Sequence, residues 1–473
     1  MSNGSATLTI AAPTPPAPRP ATARTRLLLE GPIVSTLLRL AAGNVVVNVV
    51  LIAVTATVDA YFVAQLGSSA LAGISLVFPL IMLLQQVANS SMGGAIASAV
   101  ARALGAGRHE DASALVVHAT LIATALAALF SALLLFGGPM IYGLMGGDGE
   151  ALAAAVEYSN AIFAGALAYW LLSTFTSVVR GAGQAAVLAW SYVAAELLHI
   201  ALVPSLMYGL GPIPALGITG VGVATVASFA ASTLFLAWYV AAGRTAIKLS
   251  LRGVVLSRRL FVEILRVGGP MSFQPILNNV ALATLTGFVA ALGAAELAGF
   301  GIAVRLEYLL YPLAFGLGAA VIAMVGTNLG AGQVSRAARI AWTGAGLAGT
   351  ITGVIGLFGV LLPGAWTSLF SATPEIHALA AGFLTITGLA FPFLGLGLTL
   401  GSACQAAAQP QWPLIGVAGR AATVIVGGWL VARVLGGDLN GLAFVAAGGL
   451  IVYGCSLAAA SRSRVWRGFR KDG

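Results

Sequence analysis

Phe62-Val63-Ala64-Gln65-Leu66-Gly67 returns 226 residues later as Phe288-Val289-Ala290-Ala291-Leu292-Gly293, and the register continues from there. Leu71-Ala72-Gly73 maps onto Leu297-Ala298-Gly299 at the same offset. Leu104-Gly105-Ala106-Gly107 maps onto Leu329-Gly330-Ala331-Gly332 at an offset of 225. Glycine and alanine abound in this chain, so one such match is weak. Three in register within one residue mark an internal duplication.

The solvent of the folded chain follows from composition. Of 473 residues, 59% are apolar and only 8% charged, and the mean hydropathy is +0.98. A soluble domain carries roughly 25% charged residues, so this chain is expected in a lipid bilayer. Its 60 glycines suit helices packed closely in lipid, where small residues let backbones approach. Reading apolar runs between breakers, with about 20 residues needed per crossing, gives twelve spans. They are 34–64, 69–101, 112–136, 153–179, 184–208, 217–241, 263–291, 296–327, 335–361, 373–405, 411–434 and 440–460. The expected fold is an all-α integral membrane protein.

Charge orients these spans. One side receives Arg24, Arg26, Arg102, Arg108, Arg180, Arg244, Lys248, Arg252, Arg258, Arg259, Arg336 and Arg339, then Arg462, Arg464, Arg467, Arg470 and Lys471 near the C-terminus. The opposite connections carry Asp148, Glu150, Glu375 and Asp438 without Lys or Arg. By the positive-inside rule both termini are expected in the cytoplasm of a bacterial inner membrane. The same bias explains the net charge of +9 without a nucleic-acid partner. Six spans per half make the repeat parallel, with its pseudo-two-fold axis along the membrane normal, as between the halves of some transporters.

The expected organisation is a disordered cytoplasmic tail over 1–33, an N-lobe over 34–241, a basic linker over 242–262, a C-lobe over 263–460 and a basic tail over 461–473. The Pro-rich start lacks the order of a secretory signal. Cys404 and Cys455 lie far apart inside apolar runs and read as buried small hydrophobes. No metal-ligand or redox spacing is seen, and no metal or cofactor is expected.

Ionisable groups inside a membrane cost about 2.5–3.5 kcal/mol each even on insertion scales, so each asks for a reason. Asp59 closes the apolar stretch that begins at Val45, and its repeat mate is Leu285. The bland reading is a carboxylate capped or solvated near the outer interface; the functional one is ion coupling. Glu196 and His199, spaced i, i+3, share a helix face. They form either a proton relay, since imidazole titrates near neutral pH, or a satisfied pair that fixes packing. Arg305 and Glu307 point to different helix faces, and Arg420 is placed to neutralise Glu307, a packing role. The amides Asn48, Gln85, Gln86, Asn89, Asn160, Gln274, Asn278 and Asn279 suit a cavity wall, although each alone is more often an interhelical hydrogen bond. No catalytic constellation or phosphate-binding loop is present.

Several stretches resemble the multidrug and toxic compound extrusion (MATE) family. They are Val58-Asp59-Ala60-Tyr61-Phe62-Val63-Ala64-Gln65-Leu66-Gly67, the segment from Ser98 ending Arg102-Ala103-Leu104-Gly105-Ala106-Gly107, Arg180-Gly181-Ala182-Gly183-Gln184, and Gly326-Thr327-Asn328-Leu329-Gly330-Ala331-Gly332-Gln333. The resemblance covers about residues 34–460. It implies a two-lobed antiporter exporting organic, cationic or amphipathic compounds against inward H⁺ or Na⁺ flow. Asp59, Glu196 and His199 are then the ion-coupling candidates. Asn48, Gln85, Gln86, Asn160, Gln274, Asn278 and Glu307 are the substrate-cavity candidates.

The chain departs from that family's pattern at Asn44, where a proline is common, while the repeat position keeps Pro270. Val203 stands where an Asp is frequent, Glu196 and His199 where Asn is frequent, and Asn278 at the place of a seventh-span acid. Thr55, Asn48 and Asn160 offer neutral oxygens for Na⁺, but imidazole ligates hard alkali cations poorly, which favours H⁺. The expected partners are a small-molecule substrate, the coupling ion and the bilayer, with the chain acting as a monomer. Rival readings are a lipid-linked saccharide flippase, for which Arg305 and Arg420 are few cations, and a membrane-embedded enzyme, for which no clustered groups exist.

Overall fold

The computed structural model describes residues 23–50, 54–210, 214–247 and 256–466, and all regular structure among them is helical. Lipid offers backbone N–H and C=O groups no partners, so each span satisfies them internally as a helix. Ahead of the spans lies α1 (Ala23–Glu30). Span 1 comprises α2 (Ile33–Val49) and α3 (Thr55–Ala64), with Val50 and Val54 in π-helical geometry on either side of the join. Span 2 runs from α4 (Ser68–Gln86) through a π-helical turn, Val87–Met92, into α5 (Gly93–Gly105). Then come α6 (His109–Leu144), α7 (Gly149–Ala164) with α8 (Ala166–Gly181), α9 (Ala185–Tyr208) and α10 (Gly217–Ala241).

The second half repeats the plan. Span 7 is α11 (Arg258–Met271) and α12 (Phe273–Ala290), and span 8 is α13 (Ala294–Tyr308) and α14 (Leu310–Gly330). After α15 (Val334–Leu361) and a short α16 (Pro363–Thr367) come α17 (Pro374–Thr387) and α18 (Phe391–Ala406), then α19 (Gln411–Trp429) and α20 (Leu439–Ser463). Among the described residues nine helices are long and apolar enough to cross a bilayer, and the α7–α8 pair, bent by 48°, makes a tenth. The other two crossings, spans 1 and 7, are each assembled from two pieces, which brings the total to the expected twelve. At the α7–α8 bend, a methyl on Gly165 would lie 2.3 Å from Val226 Cγ1. Only glycine admits α10 that closely.

The repeat is visible in space at the seam between the halves. A Cβ on Gly105 would lie 2.0 Å from the Thr327 carbonyl oxygen, and one on Gly330 would lie 2.1 Å from the Arg102 carbonyl oxygen. Gly330 follows Gly105, and Thr327 follows Arg102, by the same 225 residues, so the contact is reciprocal, as a two-fold requires. Turn geometry repeats too. Gly107 and Gly332 take φ of +72° and +76°, while Gly183 (+74°) is matched by Ala408 (+53°).

Packing departs from a simple division of the chain. Leu37, Leu40 and Ala41 of α2 are buried with Leu317, Val321 and Met324 of α14, in the core of the second half. Reciprocally, Leu260, Ile264, Val267 and Met271 of α11 are buried with Met92 and Ile96 in the core of the first. The two lobes therefore exchange the first halves of spans 1 and 7, a correction to the 34–241 and 263–460 boundaries.

The expected disorder through residue 33 also needs correction, since Ala23–Glu30 is helical. Leu28 is buried against Gly183, and its carbonyl accepts from Asn328 Nδ2 at 3.0 Å. Leu28 thus anchors this helix; residues 1–22 lie outside the described set, as do Lys248, Arg252, Arg467, Arg470 and Lys471. Cys404 is buried as expected, but Cys455 is exposed, a correction to the reading of both as buried. Charge sorting has two exceptions at the acidic end, Arg433 and Arg305, both exposed. The Arg305 guanidinium lies 5.0 Å over the Phe370 ring, a cation–π contact.

Candidate functional site

A chamber of about 360 Å³ lies within the first lobe, between α3, α4, α7, α8 and α10. That volume lies in the range of small-molecule sites. Its wall is chiefly apolar and aromatic, with Leu71, Ile74, Phe78, Met82, Phe163 and Phe229. The polar lining comes from Thr55, Asp59, Ser75, Gln85, Tyr158, Tyr169 and Thr225. Among the described residues, Asp59 is the one charged residue in that lining.

Asp59 anchors a buried cluster on three further helices. Tyr158 of α7 donates its hydroxyl to Asp59 Oδ2 at 3.2 Å. His199 of α9 brings Nε2 within 3.1 Å of Asp59 Oδ1, close but off the hydrogen-bonding direction. On the other edge of the ring, Nδ1 lies 3.3 Å from Glu196 Oε1. Thr55 donates to Glu196 Oε2 at 2.7 Å. Thr225 of α10 gives its own hydrogen to the Val221 carbonyl at 3.0 Å, which leaves its oxygen free to accept from His199 Nε2 at 3.2 Å. Thr225 thus offers an acceptor to an N–H on Nε2, while Nδ1 faces the Glu196 carboxylate. One imidazole therefore sits between two carboxylates, with hydroxyls on Asp59 Oδ2, Glu196 Oε2 and His199 Nε2, while Asp59 Oδ1 is left without a hydrogen-bond partner.

All three ion-coupling candidates from the sequence meet here. The cavity candidates divide. Gln85 lines the chamber, and Asn89 donates to the hydroxyl of Tyr169 in its wall. Asn48 turns back to the Asn44 carbonyl at 2.8 Å. Asn160 is exposed, two residues along the helix from Tyr158 and so on another face. Gln86 is half-buried outside the chamber wall. Gln274 and Asn278 sit on α12 and Glu307 on α13, all in the second half. Glu307 Oε1 lies 3.0 Å from Arg420 Nη2, and Tyr311 donates to the same oxygen at 3.4 Å. Arg305 takes no part in that pair. Tyr158, Tyr169 and Thr225 were not legible beforehand: a buried tyrosine needs a partner for its hydroxyl, but sequence does not say which.

The motif arginines close the basic end beneath the chamber. Arg102 donates from Nη1 to the Ala406 carbonyl at 2.8 Å and lies 3.2 Å from Glu263, so it ties α5 to α18 and α11. Arg180 donates from Nε to Asn44 Oδ1 at 3.1 Å. Gln405, the repeat counterpart of Arg180, donates from Nε2 to the carbonyls of Ser90 and Ser91, both at 3.0 Å. Together with the Gly105–Gly330 crossing, these bonds seal the halves against each other on that side.

Comparison with known proteins agrees with this architecture. The MatE family profile matches residues 45–204 and 270–430, one segment in each half. A FAD transporter of Shewanella oneidensis is 25% identical over 397 residues, 82% of this chain and 85% of that protein. A probable multidrug resistance protein NorM of Thermotoga maritima is 25% identical over 358 residues, 76% of each chain. Among solved structures, a MATE protein in the bent conformation superimposes with a TM-score of 0.87 at 25% identity, covering 95% of this chain and 99% of that one. The profile spans both repeats and most of the chain, so this protein belongs to the MatE family and is a multi-pass membrane transporter, not an enzyme.

Proposed function

We propose that the protein exports organic cations or amphipathic cationic compounds in exchange for protons, with its basic end in the cytoplasm of a bacterial inner membrane. The observation that carries this reading is the chamber itself: among the described residues its wall is aromatic and apolar, with one carboxylate, Asp59, and no lysine or arginine. Such a wall matches a lipophilic cation. Protonation of Asp59 removes the attraction, so proton and substrate alternate at one group. The imidazole between Asp59 and Glu196 supports H⁺ over Na⁺, since it carries protons well and ligates hard cations poorly. The positive-inside rule supports the orientation. Each chain holds a complete site, so a monomer suffices.

An anionic cargo such as the FAD in the name of the Shewanella relative would want cations, and the chamber offers none. Arg420, the cation nearest to that description, is engaged by Glu307. The test is uptake of ethidium into proteoliposomes under an imposed pH gradient. Uptake driven by that gradient, and lost in Asp59→Asn, is expected. Uptake driven instead by a Na⁺ gradient at constant pH would overturn the proton reading.

A further inference from the structure

The two carboxylates of the cluster open onto different spaces. Asp59 lines the chamber, whereas neither Glu196 nor His199 does. Those two line a second cavity, together with Tyr192 and Ser228, of about 10 Å³. That is room for one water, and the polar wall supplies the partners a buried water needs. Thr55 and Thr225 border both spaces. His199 thus forms a partition, with Nε2 turned to Asp59 on the chamber side and Nδ1 to Glu196 on the inner side.

We infer that the driving proton, after displacing substrate at Asp59, passes to Glu196 and is stored there out of the substrate's reach, so that Asp59 is the one carboxylate that holds the cationic substrate. This division rests on the proton-driven reading above. Transfer runs through the ring once Nε2, 3.1 Å from Asp59 Oδ1, turns onto the hydrogen-bonding line. Starting from the Nδ1–H tautomer, the Asp59 O–H bond breaks as Nε2–H forms, and Nδ1–H breaks as an O–H forms on Glu196 Oε1. One proton has crossed, and the ring is left as the Nε2–H tautomer, whose N–H the Thr225 oxygen can accept. Return of the proton from Glu196 to Asp59 along the same path restores the Nδ1–H tautomer.

Thr55 reports the stored proton. Its single hydroxyl hydrogen has two acceptors in reach, Glu196 Oε2 at 2.7 Å and the Val50 carbonyl at 3.2 Å. Ionised Glu196 takes that hydrogen, because a charged acceptor is the stronger one. Once Glu196 is protonated on Oε1, the hydrogen turns to Val50, where span 1 passes from one lobe's core to the other's. The groups facing His199 from neighbouring elements are Asp59 and Thr55 of α3 and Thr225 of α10. Beyond them lie Tyr158 of α7 on Asp59, Tyr192 on α9 itself, and Arg180 of α8, which is held by Asn44 of α2. Arg180 is the only cation among them, and it stands on the inner side.

The experiment pairs equilibrium binding of ethidium with pH-gradient-driven uptake on the purified full-length protein. Asp59→Asn should lose both. Glu196→Gln should keep ethidium affinity to within about twofold and lose driven uptake by about tenfold or more. His199→Gln should behave as Glu196→Gln does, and it carries the test if the latter fails to elute as a monodisperse species. Both variants should retain the acid-induced release of ethidium that titration of Asp59 produces, a pH profile that a merely structural defect would not preserve. Glu196→Gln weakening binding as much as Asp59→Asn would show that the carboxylates share one site, and normal driven uptake in Glu196→Gln would show that the proton is stored elsewhere. If a pH gradient drives no uptake even in the unmodified protein, the proton-driven reading fails, and the binding arm still decides whether Glu196 stands apart from the substrate.

Discussion

The two halves share a backbone plan, but their interiors differ at the positions that matter. Asp59 corresponds to Leu285 at the offset of 226, and Tyr158, Glu196 and His199 correspond to Phe383, Ala421 and Val424 at the offset of 225. All four C-half residues are buried in one continuous apolar core. In the N-half the same positions hold hydrogen-bonded polar groups beside a chamber. One copy of the fold therefore does without the cluster, so stability does not explain its presence in the other. Buried ionisable groups are costly, and the asymmetry supports the proposed role of the N-lobe cluster in transport.

The largest expected effect comes from forcing the C-half to resemble the N-half. Leu285→Asp places a carboxylate in an apolar core with no Tyr158 or His199 equivalent, at a cost of about 3 kcal/mol or more. Thermal unfolding in detergent should show a marked loss, whereas Asp59→Leu, the opposite exchange, should lose driven transport yet unfold at an equal or higher temperature. Unchanged stability in Leu285→Asp would mean that the C-lobe core admits water and that the contrast is overdrawn.

The seam offers a sharper test of the pseudo-symmetry. Gly105→Ala and Gly330→Ala each drive a methyl into the opposite helix backbone, and overpacking of this kind typically costs about 1–3 kcal/mol. Because the contacts are reciprocal, the two variants should lose similar stability. The change is also expected to loosen closure of the basic end, measurable as accessibility of a cysteine introduced nearby. A large effect from one glycine and none from the other would break the equivalence.

The smallest effect concerns the turn at Ala408, where the N-half has Gly183. A non-glycine residue at positive φ is strained, so Ala408→Gly should stabilise by up to about 1 kcal/mol, less the added freedom of the unfolded chain. A lowered unfolding temperature would show that the Ala408 methyl makes contacts that outweigh its backbone strain.

Much of this contrast was legible in sequence. Apolar runs between glycine breakers placed most of the twelve spans within a few residues, because a bilayer leaves little choice but helix, but the third helix continues to Leu144, eight residues past the expected end at 136. The Leu-Gly-Ala-Gly repeats located the duplication, and they proved to be the seam itself. The i, i+3 spacing put Glu196 and His199 on one face, while the absence of a charged mate singled out Asp59. What periodicity does not encode is which helices meet. The approach of α3 to α9, and of Tyr158 and Thr225 to the same point, depends on contacts between residues up to 141 apart, such as Thr55 and Glu196. The exchange of α2 and α11 between lobes was hidden for the same reason, since an apolar face does not name its partner. Gln274, Asn278 and Glu307 read as cavity amides and acid from composition alone, and the second half places them away from the chamber.

The central claim is that Asp59 couples proton to substrate, and Asp59→Asn tests it most directly, because the amide matches the carboxyl in shape and imitates its protonated form permanently. In proteoliposomes the variant is expected to fold, to bind ethidium weakly and to show no uptake under a pH gradient. Undiminished gradient-driven uptake in Asp59→Asn would contradict the account.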